Sequence, residues 1–430
     1  MISRRKAITW LAILLVITNL FTFLLVMGKV PVLSGLLSEV APGWVVPPGI
    51  SVLSPHYRQF WEAMQLVQQN YVEPVGPKEI DQMLDGATSG LVASVNDPYT
   101  VYFSPEEYKS WMEETSGQYS GVGMVVEYVK PYVTVVAPFP DTPAARAGIR
   151  SGDKIIKVDG KDVVGVDVDV VANMIKGPEG TPVTLTILRD DEQPFDVTLV
   201  RAVIHIPTVD HAMLTPTIGY VRLYQFSEGA AALMSQAIAD LKAKGAKGII
   251  FDLRQDPGGL LSEAIPIASL FIPDGPVMRR ISRGGAEVTY YTCGGQISEN
   301  PCSGTSSQGL GMPYVVLVDG GSASASEIVS GAIHDRGSGV LVGTKTFGKG
   351  SVQNLWPLPG GGGVKITTSR YLTPNGNAVD KVGITPDVVV EQGEVKPGQP
   401  SINLEDPKDP RNVQLIKAIQ ILQQKLGGTP

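Results

Sequence analysis

Gly320-Gly321-Ser322-Ala323-Ser324-Ala325-Ser326-Glu327 is the stretch that decides how this chain is read. An apolar run, Tyr314 to Val318, leads into it, and a helical pattern over 325–332 leads out. The segment therefore predicts a buried strand turning sharply into a helix. A serine at such a corner has its hydroxyl in the open and backbone N–H groups beside it. Lys349 stands 25 positions beyond Ser324, inside Thr346-Phe347-Gly348-Lys349-Gly350-Ser351-Val352-Gln353, a second glycine-flanked turn.

Each of these residues also has a plainer reading. Ser324-x-x-Glu327 fits a helix capping box, in which the hydroxyl only satisfies an orphan N–H. Lys349 could be a surface lysine of a hairpin. The apolar, glycine-flanked setting of Phe347-Gly348-Lys349-Gly350 is unlike a solvated charge run, however, and burial can depress a lysine pKa until the amine works as a base. Together Ser324 and Lys349 suit a nucleophile–base pair. Gln353, four residues on, could orient the amine or simply point outward from a strand; spacing does not choose. Asp252-Leu253-Arg254-Gln255-Asp256-Pro257-Gly258-Gly259-Leu260 supplies another strand, glycine corner and helix start. Its Gly258 and Gly259 N–H groups, with that of Ala325, are candidate oxyanion donors; a bare tight turn is the alternative. Only four histidines occur, His56, His205, His211 and His334, and no Gly-x-Ser-x-Gly frame surrounds Ser324. A Ser-His-Asp arrangement is therefore disfavoured, and His334 reads as a helix-end residue. No metal-ligand spacing is present, and no cofactor is implied.

Working outward, 430 residues allow two to four domains, and a hydrophobic content of 43% supports a large core. The net charge of −7 argues against a nucleic-acid partner. Ser3-Arg4-Arg5-Lys6 precedes a charge-free run over 7–28, long enough to cross a bilayer. The basic flank predicts a single-pass anchor with everything downstream extracytoplasmic. A cleaved signal peptide is the other reading, against which stands the absence of a small-x-small site at the end of the run. Cys293 and Cys302 lie in a Gly/Ser/Asn/Pro-rich loop; in an oxidising compartment their spacing permits a local disulfide, and it equally admits two free thiols.

The chain then divides into a basic stub and anchor (1–28), a Pro/Gly-rich linker (29–50), a helical region (51–115), a β-rich module (116–205), an α/β core (206–395), and a polar tail with an amphipathic helix (396–430). In the core, helix 227–244 is predicted to bury a stripe of Leu233, Ala237 and Leu241. In the tail, Leu415, Ile416, Ile419 and Leu422 form a stripe. The stripes near Trp61 and Val413 could pair two copies as a homodimer or pack against their own domain.

The β-rich module resembles a PDZ domain through its Gly121-Val122-Gly123 loop, its Pro143-Ala144-Ala145-Arg146-Ala147-Gly148 turn and Gly152-Asp153-Lys154-Ile155-Ile156-Lys157-Val158-Asp159-Gly160. The whole of 56–390 resembles the C-terminal processing peptidases, also called tail-specific proteases. The resemblance rests on Asp97 to Phe103, Glu113 to Gly117, Asp252-Leu253-Arg254 with Pro257-Gly258-Gly259-Leu260, Gly321 to Ile328, Thr346 to Gln353, Tyr371 to Gly376 and Gly383 to Asp387. It implies an α/β multidomain fold: a crotonase-like ββα protease core, an inserted-type PDZ domain and flanking helices. It assigns Ser324 as nucleophile over Ser322 and Ser326, Lys349 as base and Gln353 as assistant. It also implies that Ser120, Gly121, Val122 and Gly123 receive the C-terminus of a protein or peptide substrate, a backbone mode of capture. Lys176 stands where the family commonly has a regulatory arginine. The expectation is a membrane-anchored serine endopeptidase; a catalytically silent PDZ adaptor is the runner-up, and a crotonase-like CoA enzyme shares the core pattern.

Overall fold

A computed structural model describes residues 55–139, 141–189, 193–302, 307, 309–393 and 403–427. The run over 7–28 and the linker over 29–50 lie outside the described residues, and among the described ones no helix is long and apolar enough to cross a membrane. The chain forms two compact units, 1–86 and 87–430. In the first, helix Pro55–Asn70 has no buried residue. Its aromatic side chains meet one another instead, Tyr57 on Trp61 and Phe60 on Trp61, edge to face.

The second unit is organised by a six-stranded sheet in the order Val209–Met213, Ile218–Leu223, Gly248–Asp252, Tyr314–Val318, Val340–Gly343, Val388–Val389. The first pair is antiparallel and the rest are parallel. Both faces of a parallel sheet must be covered, so its strands read as continuous apolar runs. Alternate residues then divide between two cores. Ile249, Phe251, Val316 and Val318 pack under helices Ala230–Ala243, Leu261–Phe271 and Ala325–Asp335. Ile250, Val315 and Leu317 meet Leu415, Ala418 and Leu422 of the last helix, Val413–Lys425.

Two helical stripes differ from expectation. In Ala230–Ala243 the buried set is Ala230, Met234, Ala237, Ile238 and Leu241, and Leu233 is 45% exposed. Its place belongs to Met234, one residue round the helix. In Val413–Lys425 Ala418 supplies the middle contact where Ile416 was anticipated. That stripe is consumed by its own sheet, which answers the choice left open for it.

A second, antiparallel sheet runs Val101–Phe103, Gly363–Leu372, Gly275–Ser282, Glu287–Cys293, Gln296–Ser298, with Ser351–Pro357 also paired to Gly363–Leu372. Cys293 at its far end is bonded to Cys302, with Cα atoms 5.3 Å apart. The PDZ-like module is a third sheet, Met124–Val129 to Phe195–Val200, closed by helix Val168–Ile175. It leaves and rejoins the core through Gln118–Gly121 and Ala202–His205, which pair antiparallel.

Arg254 fixes the end of the central strand. Fully buried, its guanidinium donates to Asp252 Oδ1 at 2.9 Å, Asn412 Oδ1 at 2.9 Å and the Leu404 carbonyl at 2.7 Å. Asp252 also accepts the Tyr220 hydroxyl at 2.8 Å. Removing one partner of a buried pair strands the other charge without solvent. Asp252→Ala should therefore lower stability by about 3–5 kcal/mol in urea unfolding. A loss near zero would show that Arg254 finds another partner or water.

Candidate active site

The strand Tyr314–Val318 delivers the chain to a corner whose three serines have separate environments. Ser322 is fully buried and donates to the Leu253 carbonyl at 2.7 Å. Ser326 is fully buried and donates to the Asp256 carbonyl at 3.0 Å. Ser324 alone of the three lines the neighbouring cleft, a cavity of about 320 Å³. It does so with φ 53° and ψ −110°, a left-handed conformation that costs a non-glycine residue of order 1–3 kcal/mol. The corner is held from both sides: Ala323 N–H donates to the Asp256 carbonyl at 3.0 Å and Phe347 N–H to the Ser322 carbonyl at 3.0 Å.

Glu327, on the first turn of the following helix, is completely buried and accepts four hydrogen bonds. Ser324 N–H donates to Oε2 at 3.0 Å, as the carboxylate half of a capping box. Lys349 N–H reaches Oε2 at 2.8 Å, Gly348 N–H reaches Oε1 at 2.7 Å, and Thr346 Oγ1 donates to Oε1 at 2.6 Å. One carboxylate thus binds the backbone of both the serine corner and the lysine turn. The buried Tyr371 hydroxyl adds a second tie, 3.0 Å from the Ser324 carbonyl and 2.7 Å from that of Lys349.

Lys349 enters the same cleft. Burial is the main force holding its pKa below the ordinary lysine value; the nearby Lys365 charge adds to this and Glu327 opposes it. Phe347 does not supply the apolar cover, being 58% exposed. Tyr99 contributes instead, with Lys349 Nζ 5.0 Å from its ring centroid. A turn holds Tyr99 there: Thr100 Oγ1 donates to Asp97 at 2.6 Å and accepts Thr367 N–H at 3.1 Å. Gln353 lines the cleft too, but its amide donates to Ser351 Oγ at 2.8 Å and Thr367 Oγ1 at 3.2 Å. Among the described residues no hydrogen bond joins Gln353, Ser324 and Lys349 side chains to one another.

The anticipated oxyanion donors separate into two kinds. Gly258 N–H is already engaged, donating to Asp256 Oδ1 at 2.8 Å, and so is not free to meet a substrate oxygen. Gly259 and Ala325 N–H groups have no acceptor among the described residues, and both residues line the cleft. Only glycine can occupy 258 and 259. A Cβ at Gly258, φ +94°, would stand 2.8 Å from Ser324 Cβ; one at Gly259, φ +146°, would stand 2.4 Å from the Phe226 carbonyl oxygen.

Comparison with known proteins agrees with this architecture. Residues 217–390 match the model of peptidase family S41, 134–189 that of a PDZ domain, and 53–107 that of the activating protease CtpB N-terminal domain. The chain is 36% identical over 340 residues to the carboxy-terminal-processing protease of Bartonella bacilliformis, covering 78% of this chain and 75% of that one. It is also 36% identical over 330 residues to the carboxy-terminal processing protease CtpA of Bacillus subtilis, covering 77% and 68% respectively. This chain belongs to the carboxy-terminal processing proteases. It is a serine peptidase with an α/β core and a PDZ domain. Among solved structures, the photosystem II D1 C-terminal processing protease aligns over 79% of this chain and 94% of its own at 28% identity, with a TM-score of 0.45.

The PDZ domain of this protease carries its own groove of about 350 Å³, lined by Gly121, Val122, Met124, Val126, Ala172 and Ile175 among others. Ser120 does not line it; its hydroxyl is buried without a partner among the described residues. Gly123, at the end of the loop, does not line the groove either; its carbonyl accepts Thr142 Oγ1 at 2.9 Å. Tyr119 stands across the loop, its phenol oxygen facing the N–H groups of Met124 and Gly123, and burial raises its pKa above the ordinary phenol value. Lys176 lies 5.2 Å from the Tyr119 ring centroid, with its ammonium 3.9 Å from Glu113.

Sequence reading assigned Glu327 only a helix-capping role and gave Asp256, Tyr99 and Tyr371 none. Glu327, Tyr99 and Tyr371 stand in segments that carry the family resemblance and Asp256 falls between two of them, but only their contacts show what they hold. Glu327→Gln would turn an amide N–H toward one of the four donors and break the clamp. It should lower kcat by about 10²-fold with KM nearly unchanged, the effect of a displacement of about 1 Å. A variant with wild-type kcat and an unaltered melting temperature would show that the clamp positions nothing.

Proposed function

We propose that this protease is a membrane-anchored, extracytoplasmic endopeptidase that engages substrates by their C-terminal tails and cleaves them with a Ser324–Lys349 dyad. The observation that carries the reading is the convergence of a strained Ser324 and a half-buried Lys349 on one cleft, their backbones joined through Glu327. Lys349, neutral, takes the Ser324 hydroxyl proton as Oγ attacks the scissile carbonyl carbon. The tetrahedral oxyanion receives N–H bonds from Gly259 and Ala325. Lys349 then gives its proton to the departing amine, leaving an acyl-serine. Water, deprotonated by the same amine, attacks the ester; a second collapse expels Ser324 Oγ, which takes the proton back from Lys349, and frees the acid. Gln353, in the same cleft, steadies the amine once substrate has drawn it forward.

The PDZ groove offers an apolar channel beside the loop Gly121-Val122-Gly123, with Lys176 at its margin, which suits a hydrophobic tail ending in a carboxylate. The basic flank and apolar run over 7–28 support anchoring, and the Cys293–Cys302 disulfide suits an oxidising compartment.

Ser324→Ala and Lys349→Ala should each lower hydrolysis of an unfolded protein such as casein by on the order of 10⁴-fold or more, with folding intact. Gln353→Ala should cost less. Because the neutral amine is the active form, the rate should rise with pH through a limb lying below the ordinary lysine range. Lys365→Met removes a like charge and should move that limb toward higher pH. Near wild-type turnover by Lys349→Ala, or a sharp optimum near pH 6 in a stable enzyme, would sink the dyad.

The full chain should stay with membranes after alkaline carbonate washing. Recovery of a released form beginning near residue 30 would refute the anchor.

A further inference from the structure

Asp256 is a buried acid that the dyad chemistry leaves unused. It lies between Gln255, itself at φ 59°, and the Pro257-Gly258-Gly259 turn, and it is wholly inaccessible to solvent. Its carbonyl accepts Ala323 N–H and Ser326 Oγ, each at 3.0 Å, from the serine corner. Its side chain reaches the glycine turn, where Oδ1 accepts Gly258 N–H at 2.8 Å, and the Ser326 hydroxyl lies near enough to act on the carboxyl. The residue therefore spans the two segments that supply Gly259 N–H and Ala325 N–H. Its second oxygen, Oδ2, is buried without a hydrogen-bond partner among the described residues.

Resting on the dyad reading above, we propose that Asp256 is a positioning residue of the oxyanion turn, and that it works as an uncharged acid. Oδ1 of a neutral carboxyl still accepts Gly258 N–H, which rotates the next peptide so that Gly259 N–H faces the cleft. An ionised carboxyl would place charge on Oδ2, a buried oxygen with no partner among the described residues, which is costly. It would also set a negative charge on the turn that supplies Gly259 N–H, opposing the donors there.

The surroundings agree. Burial is the largest influence on the group and drives its pKa well above the ordinary aspartate value. Gly258 N–H and the Ser326 hydroxyl act in the opposite direction, as does the Arg222 charge from the neighbouring strand, while the Asp252 charge acts with burial. The sign follows. The proton is bound at low pH and lost as pH rises through the elevated value, so turnover falls on the alkaline side, separately from the rise that Lys349 produces.

Three measurements test this on the full-length enzyme, with a peptide substrate. Asp256→Ala should lower kcat about 10²-fold, comparable with losing one oxyanion donor, with KM changed less than about twofold. Asp256→Asn keeps an acceptor for Gly258 N–H and cannot ionise. It should recover most of the lost kcat and should abolish the alkaline fall or move it to higher pH, leaving the rising limb in place. Infrared difference spectra at neutral pH should contain the carbonyl stretch of a protonated carboxylic acid in the wild type that is missing from Asp256→Asn.

An alkaline fall at the same pH in Asp256→Asn and wild type would overturn the proposal, as would an Asn variant no better than Ala. If Asp256→Ala folds poorly, the Asp256→Asn profile and spectrum decide alone. Failure of the dyad itself would register elsewhere, in an active Lys349→Ala variant or a rising limb indifferent to Lys365→Met.

Discussion

The site depends on one buried carboxylate. Glu327 takes hydrogen bonds from Ser324, Thr346, Gly348 and Lys349, so the end of one parallel strand and the approach to an antiparallel one share a single anion. Four donors on two oxygens, two of them from residues that supply side chains to the cleft, fix a separation that sequence leaves free. The cost of burying that charge is offset by hydrogen bonds whose geometry the helix start imposes, as in a capping box. Tyr371 repeats the arrangement with a hydroxyl between the two carbonyls. Such redundancy can hold Ser324 in a conformation it would leave if the local backbone alone decided.

A second constraint is close approach. The glycine turn at 258–259 passes so near Ser324 and Phe226 that any side chain there would overlap backbone or Cβ atoms. Proximity places N–H groups beside the reacting centre without spending a side chain, and it requires the turn to be pinned. Asp256 does this through Gly258 N–H, and Arg254, two residues before it, anchors the approach through the tail segment around Leu404 and Asn412. The last helix therefore bears on the site at a distance: its capping residue Asn412 completes the hydrogen bonding of the arginine that begins the turn.

Much of this was legible in the chain. The apolar runs Gly248–Asp252 and Tyr314–Val318 announced buried strands, and glycine corners after each announced backbone donors. Ser324 and Lys349 stood out by setting as well as by type. What escaped was set by side-chain direction. Periodicity could not tell Leu233 from Met234 on the inner face of their helix, because both fit a stripe within one residue. It could not show that Gly258 N–H folds back onto Asp256, since an Asx-type bond two residues away looks like any tight turn. Phe347 was read as cover for Lys349 because it is two positions away in sequence, whereas the ring that meets the amine, Tyr99, comes from 250 positions earlier.

Helix Pro105–Ser116 joins the two grooves of the second unit. Trp111 and Thr115, four apart, line the cleft of Ser324, while Ser110 and Glu113, three apart, line the PDZ groove. Those spacings place the pairs on two faces of one helix, so the wall of one site is also the wall of the other. Glu113 meets Lys176 at 3.9 Å with both side chains partly in solvent, a pair worth about 0–1 kcal/mol. A tie that weak exchanges readily.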